Sequence, residues 1–121
     1  MESKELWEWC GFRFQKIGEL KKIYRHHANL RWVFPTGEIG ALPELTLDNL
    51  FKYAIPKVTK EYDLRMWSYY DETNDKVFYF TALDKDGETE YASIVGQEKL
   101  EDAILIVLQE VMKGEKDGNM L

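Results

Sequence analysis

Hydrophobic positions recur at helical spacing in two long segments of the chain. The first follows Thr46, whose hydroxyl suits an N-cap, and Pro56 lies near its end, where it would stop or kink the helix. Its apolar stripe consists of Leu47, Leu50, Phe51, Ala54 and Ile55. The second segment would end at Gly114. Its stripe consists of Leu100, Ala103, Ile104, Val107, Leu108, Val111 and Met112. The pattern predicts two main helices.

Between these helices the hydrophobic positions alternate, which predicts three strands over 64–70, 77–83 and 89–95. The links between them are short and polar, at 71–75 and 84–87, so neighbouring strands must run antiparallel as a meander. The middle strand is apolar on both faces. We therefore expect it to be covered on both sides.

The N-terminal part carries weaker patterns. Ser3 suits the N-cap of a short helix in which Leu6, Trp9 and Cys10 share one side, and Gly11 suits its end. Short strands are predicted at 12–14 and 31–34, and the second is followed by a Pro-Thr-Gly turn. The stretch 17–30 fits neither a helix nor a strand clearly.

These elements predict an α+β fold. We expect an antiparallel sheet, made of the C-terminal meander plus the N-terminal strands, to be packed with two main helices and a short N-terminal helix. The chain reads as a single domain over 1–113, followed by a flexible tail at 114–121.

Composition limits the class of protein. The 121 residues are 45% hydrophobic and 14% aromatic, which suits one packed domain. The acidic start of the chain does not resemble a signal peptide, and no apolar run is long enough to span a membrane. We therefore expect a cytoplasmic protein without membrane association. The single cysteine, Cys10, excludes an intrachain disulfide.

Four segments resemble a known family. They are Leu6–Phe12, Trp32–Gly37, Leu42-Pro43 and Leu47–Pro56, and together with the strands and the last helix they are similar to the phage ABA-sandwich domain group. The resemblance implies a phage or prophage protein at work in a host cell, where small acidic proteins often bind and disable a host component. The group carries no established catalytic residues, so none is transferred.

The sequence offers little support for catalysis or for a cofactor. No G-x-S-x-G elbow and no phosphate-binding glycine motif occurs. A pairing of Cys10 with His26 or His27 is weaker than the interpretation of a buried cysteine beside exposed histidines. The Asp-rich stretch 84–90 reads as a hairpin turn, because the later ligands of a calcium loop are missing. We expect a non-enzymatic protein with no metal and no cofactor.

Charge is distributed unevenly between the two halves of the chain. Residues 1–60 hold ten Lys and Arg against seven Asp and Glu, and residues 61–121 hold six against fifteen. An acidic surface can occupy a basic site of a partner, with electrostatic steering of the encounter. The candidate protein-binding residues are Asp71, Glu72, Asp84, Asp86, Glu88, Glu90, Glu101 and Asp102. Taken with what the phage resemblance implies, this charge favours an inhibitor of a host anti-phage defence protein that acts through the acidic surface, without direct DNA binding.

An alternative function uses the basic half. Cationic side chains beside aromatic rings can hold a nucleotide through phosphate contacts and base stacking. The candidate residues are Arg13, Lys21, Lys22, Arg25, His26, His27 and Trp32. On this hypothesis a homo-oligomer sequesters a signalling nucleotide of the host defence, since a subunit interface can build a pocket that one small domain lacks.

Overall fold

We describe residues 3–15 and 32–119 of a computed structural model of the chain, with side chains as far as residue 116. The predicted α+β class is confirmed, with helices and two separate three-stranded antiparallel sheets rather than one sheet. Contacts divide the chain into two compact units, Met1–Leu45 and Thr46–Leu121. The ambiguous stretch 17–30 lies outside the described residues.

The N-terminal unit begins with helix α1, Ser3–Trp9, whose buried residues are Leu6 and Trp7. Gly11 follows it with a φ of +106°, a left-handed conformation that glycine adopts without strain. The predicted apolar side is wrong in one respect: Trp9 and Cys10 are only half-buried, and Trp7 is the buried indole. Its Nε1 donates to the carbonyl oxygen of Pro43 at 2.8 Å, which satisfies the polar atom of a buried ring.

A small sheet completes this unit. Strand β1, Arg13–Phe14, pairs with β2, Trp32–Val33, and β2 pairs with β3, Ile39–Gly40. The predicted turn between β2 and β3 is present, with Gly37 at a φ of +95°. Strand β3 is not among the predicted elements, because two residues are too few to show an alternation.

The C-terminal unit opens with helix α2, which has three consecutive parts: an α-helical turn at Leu47–Asn49, a π-helical stretch at Leu50–Ala54 and a second α-helical turn at Ile55–Val58. The hydroxyl of Thr46 accepts from the backbone N–H of Asn49 at 3.2 Å, so the predicted N-cap is present. The helix continues past Pro56, which lies in the first turn of the last part, where a missing N–H costs least.

The meander is present and its strands are longer than predicted. Strand β4 is Asp63–Asp71, β5 is Lys76–Lys85 and β6 is Glu88–Ala92, with β5 in the centre. The predicted third strand over 89–95 is wrong at its end. The chain leaves the sheet after Ser93, exposes Ile94 and Val95, and pairs again through Gln97 opposite Tyr79.

Helix α3, Leu100–Asn119, covers one face of the meander. Its buried stripe is Ala103, Ile104, Val107, Leu108 and Val111. The hydroxyl of Thr81 donates to the carbonyl oxygen of Ala103 at 2.6 Å, which fixes the helix on the centre of β5. Thr81, Ala82 and Leu83 are all buried, so both faces of β5 are covered there, as predicted. Val77, nearer the start of the strand, is exposed.

The predicted end of α3 at Gly114 is wrong, because the helix runs through this residue to Asn119. A Cβ at Gly114 would lie 2.7 Å from the hydroxyl oxygen of Tyr91, so the glycine permits a close approach between helix and sheet. None of the helices in the described ranges is long and apolar enough to cross a membrane.

Candidate protein-binding surface

The eight acidic candidates lie at two ends of the meander. Asp71 and Glu72 lie at the β4–β5 turn. At the other end of β5, around the β5–β6 turn, lie Asp84, Asp86, Glu88 and Glu90. Ten strand residues at ~3.4 Å each separate the two turns by roughly 30 Å. Glu101 and Asp102 lie in the first turn of α3. This end of the helix is near the β4–β5 turn, because Lys76 at the start of β5 pairs with Glu98 at 2.7 Å. Two separate acidic regions therefore exist in this unit.

The carboxylate of Asp84 already accepts hydrogen bonds from neighbouring side chains of the sheet. It accepts from Arg65 Nε at 3.0 Å and from the hydroxyl of Thr89 at 3.0 Å. The hydrogen bond from the Arg65 guanidinium holds the pKa of Asp84 below its usual value. The guanidinium also lies over the ring of Trp67, with 4.7 Å between its central carbon and the ring centroid. Asp84 therefore orders this side of the sheet.

Asp71 also has a local role. Its carboxylate accepts from the backbone N–H of Thr73 at 3.0 Å and from the side-chain amide of Asn74 at 2.7 Å. These bonds fix the four-residue turn between β4 and β5. Glu101 and Asp102 lie in the first turn of α3, where negative charge is favoured by the helix dipole.

The three candidates at the β5–β6 turn carry exposed charge. Asp86 and Gly87 have φ values of +54° and +81°, as a two-residue hairpin turn requires. Asp86, Glu88 and Glu90 are all exposed. These three residues thus project negative charge beside strand β6.

An open groove lies next to this acidic turn, along β6, the last strand of the meander. Its volume is about 370 Å³, and its walls are β6 and one side of α3. The lining residues are Glu90, Tyr91, Ala92, Ile94, Val95, Ile106 and Glu110. We call this feature the β6–α3 groove.

The groove combines exposed apolar side chains with negative charge. Ile94 is 88% exposed and Val95 is 65% exposed, which is unusual for adjacent aliphatic residues. Glu90 comes from β6 and Glu110 from α3, so each wall of the groove includes an acidic residue. Such a groove suits a segment that offers an apolar anchor between cationic side chains.

Among the residues that line the groove, Glu90 is the one that belongs to the binding residues predicted from the sequence. The predicted third strand includes Ile94 and Val95, and the predicted stripe of the last helix does not include Ile106. One signal was present: Ile94 and Val95 are adjacent, which breaks the period of two, and Gly96 follows them. No signal in the sequence placed Glu110 opposite β6.

The residues of the nucleotide alternative are only partly described. Arg13 is exposed and pairs through its backbone with Val33, and Trp32 contacts Phe14 edge to face at 5.4 Å. Lys21, Lys22, Arg25, His26 and His27 lie outside the described residues. The nucleotide site therefore stays a prediction.

Within residues 3–15 and 32–119, no group of three or more His, Cys, Asp or Glu residues could hold a metal ion. Cys10 is half-buried at the end of α1. The acidic residues that were compared with a calcium loop have other roles. Asp84 pairs with Arg65, and Asp86 and Glu88 belong to the hairpin turn.

No family model, curated protein or solved structure matches the chain. The resemblance to the phage ABA-sandwich group stays a prediction.

Proposed function

We propose that this is a non-enzymatic binding protein that holds a basic segment of a partner protein in the β6–α3 groove. The observation that carries the proposal is the exposure of Ile94 and Val95 in a groove that Glu90 and Glu110 also line. Covering exposed aliphatic residues with a partner lowers the free energy of the complex. The two glutamates favour partner segments with cationic side chains.

The acidic turn supports the same partner chemistry. Asp86, Glu88 and Glu90 extend the negative region from the groove along the start of β6. Exposed charge of one sign raises the association rate with an oppositely charged protein more than it raises the affinity. The resemblance to phage proteins supports a host defence component as the target and inhibition as the result.

A peptide titration tests the groove directly. The probe is a labelled peptide of alternating lysine and valine, and its control is the same peptide with glutamate in place of lysine. We expect fluorescence anisotropy to detect the lysine peptide alone, with binding that weakens as salt rises.

Charge reversal then locates the site. Glu90→Lys combined with Glu110→Lys should raise the Kd of the lysine peptide by about tenfold or more. The matched control is Glu72→Lys, which reverses an exposed charge at the opposite end of the meander and should leave the Kd nearly unchanged. Equal binding of the two peptides, or equal effects of the reversals, would contradict the proposal.

A further inference from the structure

Strand β4 forms an open edge of the meander. Its one strand neighbour among the described residues is β5, with which it pairs over nine residues without a shift of register. Every residue from Arg65 to Tyr70 is exposed, and this stretch contains a single charge. Long, regular and apolar edges are templates for pairing with another strand.

The other edge of the same sheet is protected. Strand β6 has five residues, carries Glu88 and Glu90, and is interrupted by a shift of register at Leu83/Asp84. Short length, charge and irregular pairing are the usual devices that keep an edge from pairing. The β4 edge is long and regularly paired, and its charged residues lie toward its two ends, so the middle of the strand from Met66 to Tyr70 is uncharged. Its openness therefore requires a separate explanation.

The hydrogen bonds of β5 show which groups of β4 point outward. Tyr79 exchanges backbone hydrogen bonds with Gln97, and the carbonyl of Thr81 accepts from Ser93, so the odd-numbered residues of β5 bond toward β6. Backbone polar groups alternate sides along a strand, so the even-numbered residues bond toward β4. Their partners in β4 are Arg65, Trp67 and Tyr69. The N–H and C=O groups of Met66, Ser68 and Tyr70 therefore face the open edge.

We propose that the β4 edge pairs antiparallel with the β4 edge of a second copy of this chain, about a two-fold axis at Ser68. The two sheets then become one six-stranded sheet. The outward groups of Met66, Ser68 and Tyr70 supply the hydrogen bonds, and two-fold symmetry makes the same groups available on the second copy.

Side-chain complementarity selects this occupant and this register. Arg65 lies opposite Asp71 of the second copy, so opposite charges meet at both ends of the paired segment. Trp67 lies opposite Tyr69 of the second copy, on the face away from α3. These rings are 40% and 61% exposed in the single chain. On the other face Met66, 42% exposed, lies opposite Tyr70, 52% exposed.

A neighbouring register is less favourable. A two-fold axis at Trp67 would place Asp63 directly opposite Asp71 of the second copy, and like charges in direct opposition destabilise a strand pair. The axis at Ser68 places Asp63 beyond the paired segment.

Sedimentation velocity and amide hydrogen exchange of the full chain test the proposal without any substitution. We expect a dimer that dissociates on dilution. The amides of Met66, Ser68 and Tyr70 should be protected in the dimer and exchange at least about tenfold faster in the monomer. A chain that stays monomeric at high concentration, or a dimer in which these amides exchange freely, overturns the proposal.

A proline pair provides the matched variants. Ser68→Pro removes an outward N–H at the two-fold axis but no hydrogen bond to β5, and it should raise the dimer Kd by about tenfold or more. The control is Glu90→Pro at the irregular position of the protected edge, which should leave the dimer Kd unchanged. Equal effects of the two prolines overturn the assignment to the β4 edge.

Discussion

Gly96 allows the chain to approach the sheet where it returns after the exposed pair of aliphatic residues. A Cβ there would lie 2.8 Å from the Cβ of Phe78 and 3.0 Å from the Cζ of Phe80. The atoms that it would meet belong to a central strand, so they have little freedom to move. The absence of a side chain is a requirement of the packing at this position.

We therefore expect Gly96→Ala to lower the free energy of unfolding by about 1–3 kcal/mol, the usual cost of overpacking. Urea denaturation measures it. The control is Gly40→Ala, where the new Cβ would lie 3.4 Å from the ring of Phe34, an acceptable contact. Equal stabilities of Gly96→Ala and the unsubstituted chain would contradict the packing argument.

Two buried residues with hydroxyl side chains, Thr81 of β5 and Ser93 directly after β6, are hydrogen-bonded to each other. The backbone N–H of Thr81 donates to Ser93 Oγ at 2.8 Å, and both residues are almost completely buried. Ser93→Ala leaves this N–H without its acceptor, and we expect a loss of about 1–3 kcal/mol in the free energy of unfolding.

Chemical denaturation compares this variant with Thr73→Ala. Thr73 is an exposed turn residue that donates a hydrogen bond to Asp71 through its backbone N–H, which alanine also provides. The control should change stability by less than about 0.5 kcal/mol. If Ser93→Ala costs no more than the control, the buried N–H has another acceptor.

Single residues with strong local preferences were predictable from the sequence. Thr46 caps its helix, and Gly11 and Gly37 take the left-handed conformations that their turns require. Trp7 was not predictable as the buried indole of α1, because Trp9 fits the helical stripe equally well and the acceptor of the Trp7 N–H is 36 residues away.

At the scale of elements, the turn that follows α2 contacts the sheet through Tyr62. Its ring meets the ring of Tyr91 edge to face at 5.7 Å, and Lys85 Nζ lies 5.9 Å from its centroid. Burial, followed by the proximity of Tyr91, raises the pKa of Tyr62 to about 12. Glu61 and Glu90 act in the same direction.

This shift predicts a loss of stability in alkali. The unfolded chain releases the Tyr62 proton near pH 10, whereas the folded chain keeps it to about pH 12, so stability should fall as pH rises between these values. The slope should be shallow, because the half-buried ring is partly screened by water. Tyr62→Phe should make the decline shallower in urea titrations at successive pH values. If the loss of stability in alkali is unchanged in this variant, other titrating groups cause it.

Element types were predictable where a period repeats several times, as in α3 and in strands β4 and β5. Element ends were less predictable. Gly114 is a residue type that often ends helices, yet it lies inside α3, where a Cβ would come close to the hydroxyl of Tyr91. Strand β6 stops before Ile94, although both residues that leave the sheet favour strands, because Gln97 takes the place opposite Tyr79.

At the scale of the whole molecule, the excess of negative charge in the second half was readable, but its distribution was not. Asp71 and Asp84 are far apart at opposite turns, and both serve local hydrogen bonds. The groove brings Glu110 of α3 together with residues of β6, which is a consequence of helix packing. Tertiary contacts of this kind leave no short-range pattern in a sequence.

The two edges of the meander differ in a way that has a consequence for binding strength. Pairing through β4 would leave both β6 edges at the outer margins of a continuous sheet, so each assembly would display two β6–α3 grooves facing away from each other. A partner with repeated basic segments, or one that is itself a symmetric dimer, could occupy both grooves at once. The second contact would then form at a high effective concentration, and modest affinity at each groove would become strong avidity.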